Sequence, residues 1–160
     1  MQSCKQSTQK EILTERQIEL RNERNCAGIR LQEILEERNF ERALLYVDSL
    51  NRAYPNDPQL YFTEGWVYDM LGDSLRARAS YTKSISIYDS LIAYKPSFDD
   101  MINRAVIVQF LYGMEAYSQA LDEILSTFTT AKDSSNIKMW KEIGVIKKGD
   151  LFSKYPQKNK

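Results

Sequence analysis

The sequence predicts an all-α chain: a superhelix of about three antiparallel helix pairs, preceded by an N-terminal helix and closed by a C-terminal capping segment. Three observations predict it. Apolar residues recur with a 3.6-residue period, and no alternating run sits between hairpin turns as a strand would. Pro55, Pro58, Pro96 and Pro156 leave long proline-free stretches, with helix-start residues at the breaks. Ala43 and Ala77 stand 34 residues apart, each early in a predicted helix.

Each element has its own signal. Thr8-x-x-Glu11 is a capping-box pattern and opens a first helix over about 8–37. A second covers about 40–53, with Leu44, Val47 and Leu50 on one face. Asp57-Pro58 places an N-cap before a first-turn proline and opens a helix over about 58–71. Gly72-Asp73 stops that helix and caps the next, about 74–94, where Tyr81, Ile85, Tyr88 and Ile92 align. Ser97, with Asp100 in the first turn, opens about 98–112. Leu121, Ile124, Leu125 and Phe128 mark about 115–130, and a shorter helix covers part of 135–148. Connections of about two to five residues make neighbours antiparallel.

Within the first helix, Leu13, Leu20, Ala27 and Leu31 share one face, while Ile18 and Ile29 lie on the other side. A helix apolar on two sides packs against two neighbours, as a cap would, or against a second subunit in a homodimer.

Composition narrows the chemistry. Lys plus Arg is 22 and Asp plus Glu is 22, so no net charge draws the chain to nucleic acid. With no histidine, Ser-His-Asp and Cys-His nucleophile systems, histidine metal sites and histidine pH switches are all excluded. No apolar run of about 18 residues spans a membrane. The six glycines are scattered, so no phosphate-binding loop forms. Asp99-Asp100 and Glu36-Glu37 are adjacent, and helical neighbours point about 100° apart, so neither pair shares an acid–base site. The expectation is a non-enzymatic chain with no catalytic residues, metal or cofactor. Residues 132–160 carry eight lysines against three acidic residues. Without interleaved aromatic and arginine residues they read as a solvated face, not a nucleic-acid site. Trp140, Ile143 and Ile146 in the same segment are expected to cover the end of the stack.

Cys4 and Cys26 give neither metal spacing nor a redox pair. Cys26, in an apolar-rich segment, reads as a small packed hydrophobe. Ser3-Cys4 followed by a polar stretch resembles the end of a bacterial lipoprotein signal, in which the cysteine is lipidated. No basic or apolar stretch precedes Cys4 here. The resemblance implies an envelope-tethered protein if a signal peptide precedes Met1; the alternative is a cytoplasmic one.

Self-similarity is the strongest signal. Ala43-x3-Val47, Ala77-x3-Tyr81 and Ala120-x3-Ile124 repeat one pattern, and Tyr61-x2-Glu64-Gly65-x2-Tyr68 precedes the middle copy. These residues resemble the tetratricopeptide repeat: aromatic, large-small, aromatic, Ala-x3-aromatic, then proline. Repeats fall at about 24–57, 58–97 and 98–130, within one domain over about 8–150 that ends in a cap at 132–150. Residues 1–7 form a tether and 151–160 a polar tail. Gly65 and Ala77 allow close helix approach, and Tyr61, Tyr68 and Tyr81 are expected to fill the groove between repeats. The pattern departs from the family in places. Arg30-Leu31 replaces large-small in the first copy, Glu64 replaces the usual leucine, and Pro96 comes seven residues late.

The resemblance implies a concave groove that holds a peptide or protein partner, lined by the first helix of each repeat. The corresponding residues are Gln32 and Leu35, then Gln59, Phe62, Trp66 and Asp69, then Ile102 and Gln109. Trp66 is the expected centre of that face; packing of Phe62 and Trp66 against a neighbouring helix is the competing reading. The subtype that grips chaperone C-terminal carboxylates needs a cationic clamp, and the matching positions here are Gly28, Gln32, Ile102 and Val106. The leading expectation is therefore a protein-binding module. The second is a self-associating scaffold without a peptide groove.

Overall fold

The structure, a computed structural model, describes residues 14–143. These form seven helices and no strand: α1 (Glu15–Glu36), α2 (Phe40–Ala53), α3 (Pro58–Met70), α4 (Ser74–Tyr94), α5 (Phe98–Tyr112), α6 (Met114–Thr127) and α7 (Ala131–Ile143). Each helix packs on its predecessor in chain order, across connections of one to four residues. The result is an all-α stack of helix pairs with the character of a repeat superhelix.

Capping chemistry sets most boundaries. Asp57 accepts from the Gln59 N–H ahead of Pro58, Asp73 from Arg76 N–H, and Ser97 from Asp100 N–H. Gly72 and Gly113 adopt φ of +82° and +86°, left-handed values that cost glycine little. Two helix starts differ from the sequence expectation by more than one residue, and α6 ends at Thr127 rather than near 130. α1 opens at Thr14, whose hydroxyl accepts from Gln17 N–H while the Gln17 side chain accepts from Thr14 N–H. This reciprocal capping box sits six residues beyond Thr8, which lies outside the described residues. α7 begins at Ala131 rather than near 135, because Thr130 accepts from the Asp133 N–H.

The middle pair is the closest. Ser84 Oγ donates to the Pro58 carbonyl at 2.7 Å, while Gly65 meets Ala77 further along, so α3 and α4 run antiparallel. A Cβ on Gly65 would stand 2.7 Å from the Tyr81 ring and 3.0 Å from the Ala77 carbonyl oxygen. Glycine is needed there for contact, not for turning. Glu64 accepts from Asn51 Nδ2 at 3.2 Å and from Ser80 Oγ at 2.7 Å, linking α2, α3 and α4.

Two apolar clusters fill the stack. The first joins α1 to α4 with Ile107 of α5 and includes Val47, Val67 and the fully buried Ala43 and Ala77, the pair spaced by 34 residues. The second joins α5, α6 and α7 around Ala105, Leu121, Ile124 and Ile137. α4 has 21 residues against 13 in α3, and its overhang carries Tyr88 into the first cluster and Ile92 against both. At the C-terminal end Ile137 is the buried anchor of α7, with Trp140 partly buried beside it. Ile146, like Cys4 and Leu13, lies outside the described residues.

Two expectations, for Cys26 and Tyr61, need correction. Cys26 is exposed, because it points about 140° away from the buried Leu31 on the same helix. Tyr61 is half-buried but packs in neither apolar cluster, with Lys83 over its ring at 6.0 Å; Tyr68, also half-buried, does pack against the first cluster, with Arg76 over its ring at 5.7 Å.

Candidate functional site

The residues expected on the concave groove sit on α1, α3 and α5. Leu35, Trp66 and Ile102 are inside the fold, with 5%, 6% and 5% of their surface exposed. Trp66 was expected to reach the groove because it stands about 100° round the helix from Gly65. That rotation reaches solvent only on a helix with one neighbour. α3 is enclosed by α2 as well as α4, and the Trp66 ring meets the Phe40 ring of α2 edge-on, with centroids 6.3 Å apart at 82°. Leu35 belongs to the first apolar cluster, and Ile102 to the second, with Ile137.

The remaining candidates face outward but are tied within the chain. Phe62 stacks on Phe110 of α5 at 5.6 Å and 5°, and both rings lie 5.8 Å from Tyr81. Asp69 accepts from the Tyr81 hydroxyl at 2.8 Å. The exposed Gln59 donates to the Tyr88 hydroxyl. Gln32 donates to Glu36 at 3.0 Å along α1, and Gln109 is half-buried. Phe62 and Phe110 bring α3 and α5 together; Gln32 stays on the α1 surface. The set therefore works largely as mortar between helices.

Burial also sets the tyrosine chemistry. Burial pushes the Tyr81 phenol far above its ordinary range, and the hydrogen bond and negative charge of Asp69 push the same way. Burial raises Tyr88 as well. Asp100 and Asp57 add to that rise, while hydrogen bonds from Gln59 and Asn103 oppose it. Tyr117 is raised by burial. All three stay protonated at neutral pH; Tyr81 and Tyr88 also hold hydrogen bonds, to Asp69 and from Gln59.

A different surface is open. Ile29 of α1 and Leu45 of α2 are 62% and 74% exposed. Two cavities of about 350 and 550 Å³ adjoin there, and Arg30 and Tyr46 line both. Ile34 forms part of the floor of the smaller one, and Cys26 borders the larger. Arg30 lies over the Tyr46 ring at 6.0 Å. Among the described residues no helix precedes α1 in the stack. The off-face position of Ile29 was visible in the sequence. Leu45 was not picked out, although it stands about 100° from Leu44 on the same helix.

A further exposed group, Leu75, Tyr112 and Met114, occupies helix ends, with Arg78 over the Tyr112 ring at 5.8 Å. Among the described residues, no group of three or more His, Cys, Asp or Glu side chains could hold a metal ion. No described helix is long and apolar enough to cross a membrane. Comparison with protein-family models, with curated proteins and with solved structures finds no match to the chain.

Proposed function

We propose that the chain is a non-enzymatic protein-interaction module of the tetratricopeptide type, and that a protein partner docks on the open α1–α2 end. One observation carries the reading: two large aliphatic side chains, Ile29 and Leu45, stand 62% and 74% exposed beside adjoining cavities. Single exposed apolar residues are ordinary, but a pair flanking a cleft with an aromatic floor is the usual makeup of a protein-docking surface. The repeat reading draws support from the buried Ala43 and Ala77 at 34-residue spacing and from the Gly65 crossing. A lipid on Cys4 would tether this module to a bacterial envelope. In that case Cys4→Ser moves the protein from the detergent phase to the soluble fraction.

Photo-crosslinking in cells tests the docking face. A photoreactive side chain at position 29 or 45 is expected to give protein adducts, while the same group at position 59, exposed on α3 where the groove was expected, gives none. Adducts from position 59 alone would move the docking surface to the groove.

A further inference from the structure

We propose that Arg24, Tyr54 and Asp57 form a latch that holds the first part of α1, residues 15–27, in its helical state. This part is an order–disorder element, released without unfolding the helix pairs behind it. The proposal does not depend on what docks beside Ile29 and Leu45.

Burial along α1 divides the helix in two. Its buried side chains, Leu31, Ile34 and Leu35, all stand in the second part. Every residue from 15 to 23 is exposed, and Ala27 alone among residues 15–30 packs against the first apolar cluster. A helix of about 12–15 residues is marginal in water without tertiary packing. The Thr14–Gln17 capping box and the Arg16–Glu19 ion pair support the first part only from within.

One polar tie joins that part to the rest of the described fold. Arg24 Nε donates to Asp57 Oδ2, with the two side chains 24% and 23% exposed. The Arg24 guanidinium also lies over the Tyr54 ring at 5.9 Å. Tyr54 and Asp57 both belong to the connection between α2 and α3, so the tie reaches past α2. Gly28, one turn on from Arg24, makes room for it: a Cβ there would stand 3.1 Å from Arg24 Nη1. Glycine inside a helix weakens it relative to alanine, and space for the guanidinium is what that loss supplies. The Asp57 carboxylate serves two helices at once. Oδ1 accepts from the Gln59 N–H and caps α3, while Oδ2 holds α1. Order in the first part of α1 is therefore tied to the start of α3 rather than to the face of α2.

Hydrogen exchange of the full chain, read amide by amide by NMR, tests the latch. Arg24→Gln and Asp57→Asn should each speed exchange at residues 19–27 about fivefold or more, and leave residues 32–36 within about twofold, since a charge-assisted bond between partly buried groups outweighs an exposed pair. Asparagine caps a helix as well as aspartate does, so α3 keeps its cap in Asp57→Asn. The two substitutions together should do no more than either alone, because one tie is cut twice. Gly28→Gln puts side-chain atoms where the guanidinium lies, and should speed the same amides although glutamine favours a helix more than glycine does. Unchanged exchange in Arg24→Gln and Asp57→Asn would overturn the proposal, since the first part of α1 would then hold itself. So would slower exchange in Gly28→Gln, or a double variant that sums the two single effects. Equal acceleration along the whole of α1 also overturns it, because α1 would then open as one piece with its buried residues.

Discussion

The Tyr81 hydroxyl donates to the Asp69 carboxylate across the α3–α4 seam at 2.8 Å, from a ring only 1% exposed. The carboxylate expected on the groove thus receives a proton donor from its own chain. It also holds Tyr81 protonated, together with burial. A group whose folded pKa is raised stabilises the fold fully below its unfolded pKa, and that stability is lost as pH rises above it. For tyrosine the loss begins near pH 10, with a limiting slope of about 1.4 kcal/mol per pH unit per buried phenol. Urea unfolding at pH 8 and above pH 10 should show this fall, and Tyr81→Phe should make it shallower. An unchanged slope in Tyr81→Phe would sink the assignment.

Gly65→Ala should destabilise the fold, although alanine favours a helix interior by about 1 kcal/mol. The new Cβ would stand 2.7 Å from a Tyr81 ring that cannot swing away, because Phe62 and Phe110 pack on it and Asp69 holds its hydroxyl. Overpacking of this kind costs about 1–3 kcal/mol. A urea midpoint equal to or above that of the wild type would mean that the α3–α4 seam relaxes freely.

Trp66→Ala should cost stability rather than binding. Truncating a buried tryptophan costs about 3–5 kcal/mol, and Trp66 is 6% exposed against Phe40. In a Trp140→Phe background its fluorescence should resist acrylamide quenching in the free protein. Ready quenching with an unchanged melting temperature would return Trp66 to the surface.

The helix boundaries were legible wherever the chain announces them chemically. Pro58 after Asp57, Gly72 before Asp73 and Ser97 before Asp100 each restrict the backbone in a way no neighbour has to confirm. α1 and α7 were harder to place because several Thr, Ser and Asp residues compete for the cap. Which face meets which neighbour was less legible. Periodicity groups Gln59, Phe62, Trp66 and Asp69 on one side of α3, but burial of Trp66 depends on Phe40, which lies 26 residues earlier. Ile29 was recognisable as lying off the packed stripe. Its 62% exposure follows from how α1 docks on α2, which periodicity does not give.

Ile92 gives the stack a mechanical property. A pure array of repeats can unzip from one end, one unit at a time, because each unit touches only the next. Ile92 sits on the overhang of α4 and packs against both apolar clusters, so the boundary between them has no clean plane of separation. Peeling α5, α6 and α7 away would uncover one flank of a helix that also closes the first cluster. The C-terminal half therefore cannot melt without loosening the end of α4, and fraying that starts at α7 is carried into the first cluster instead of stopping at the loop before α5.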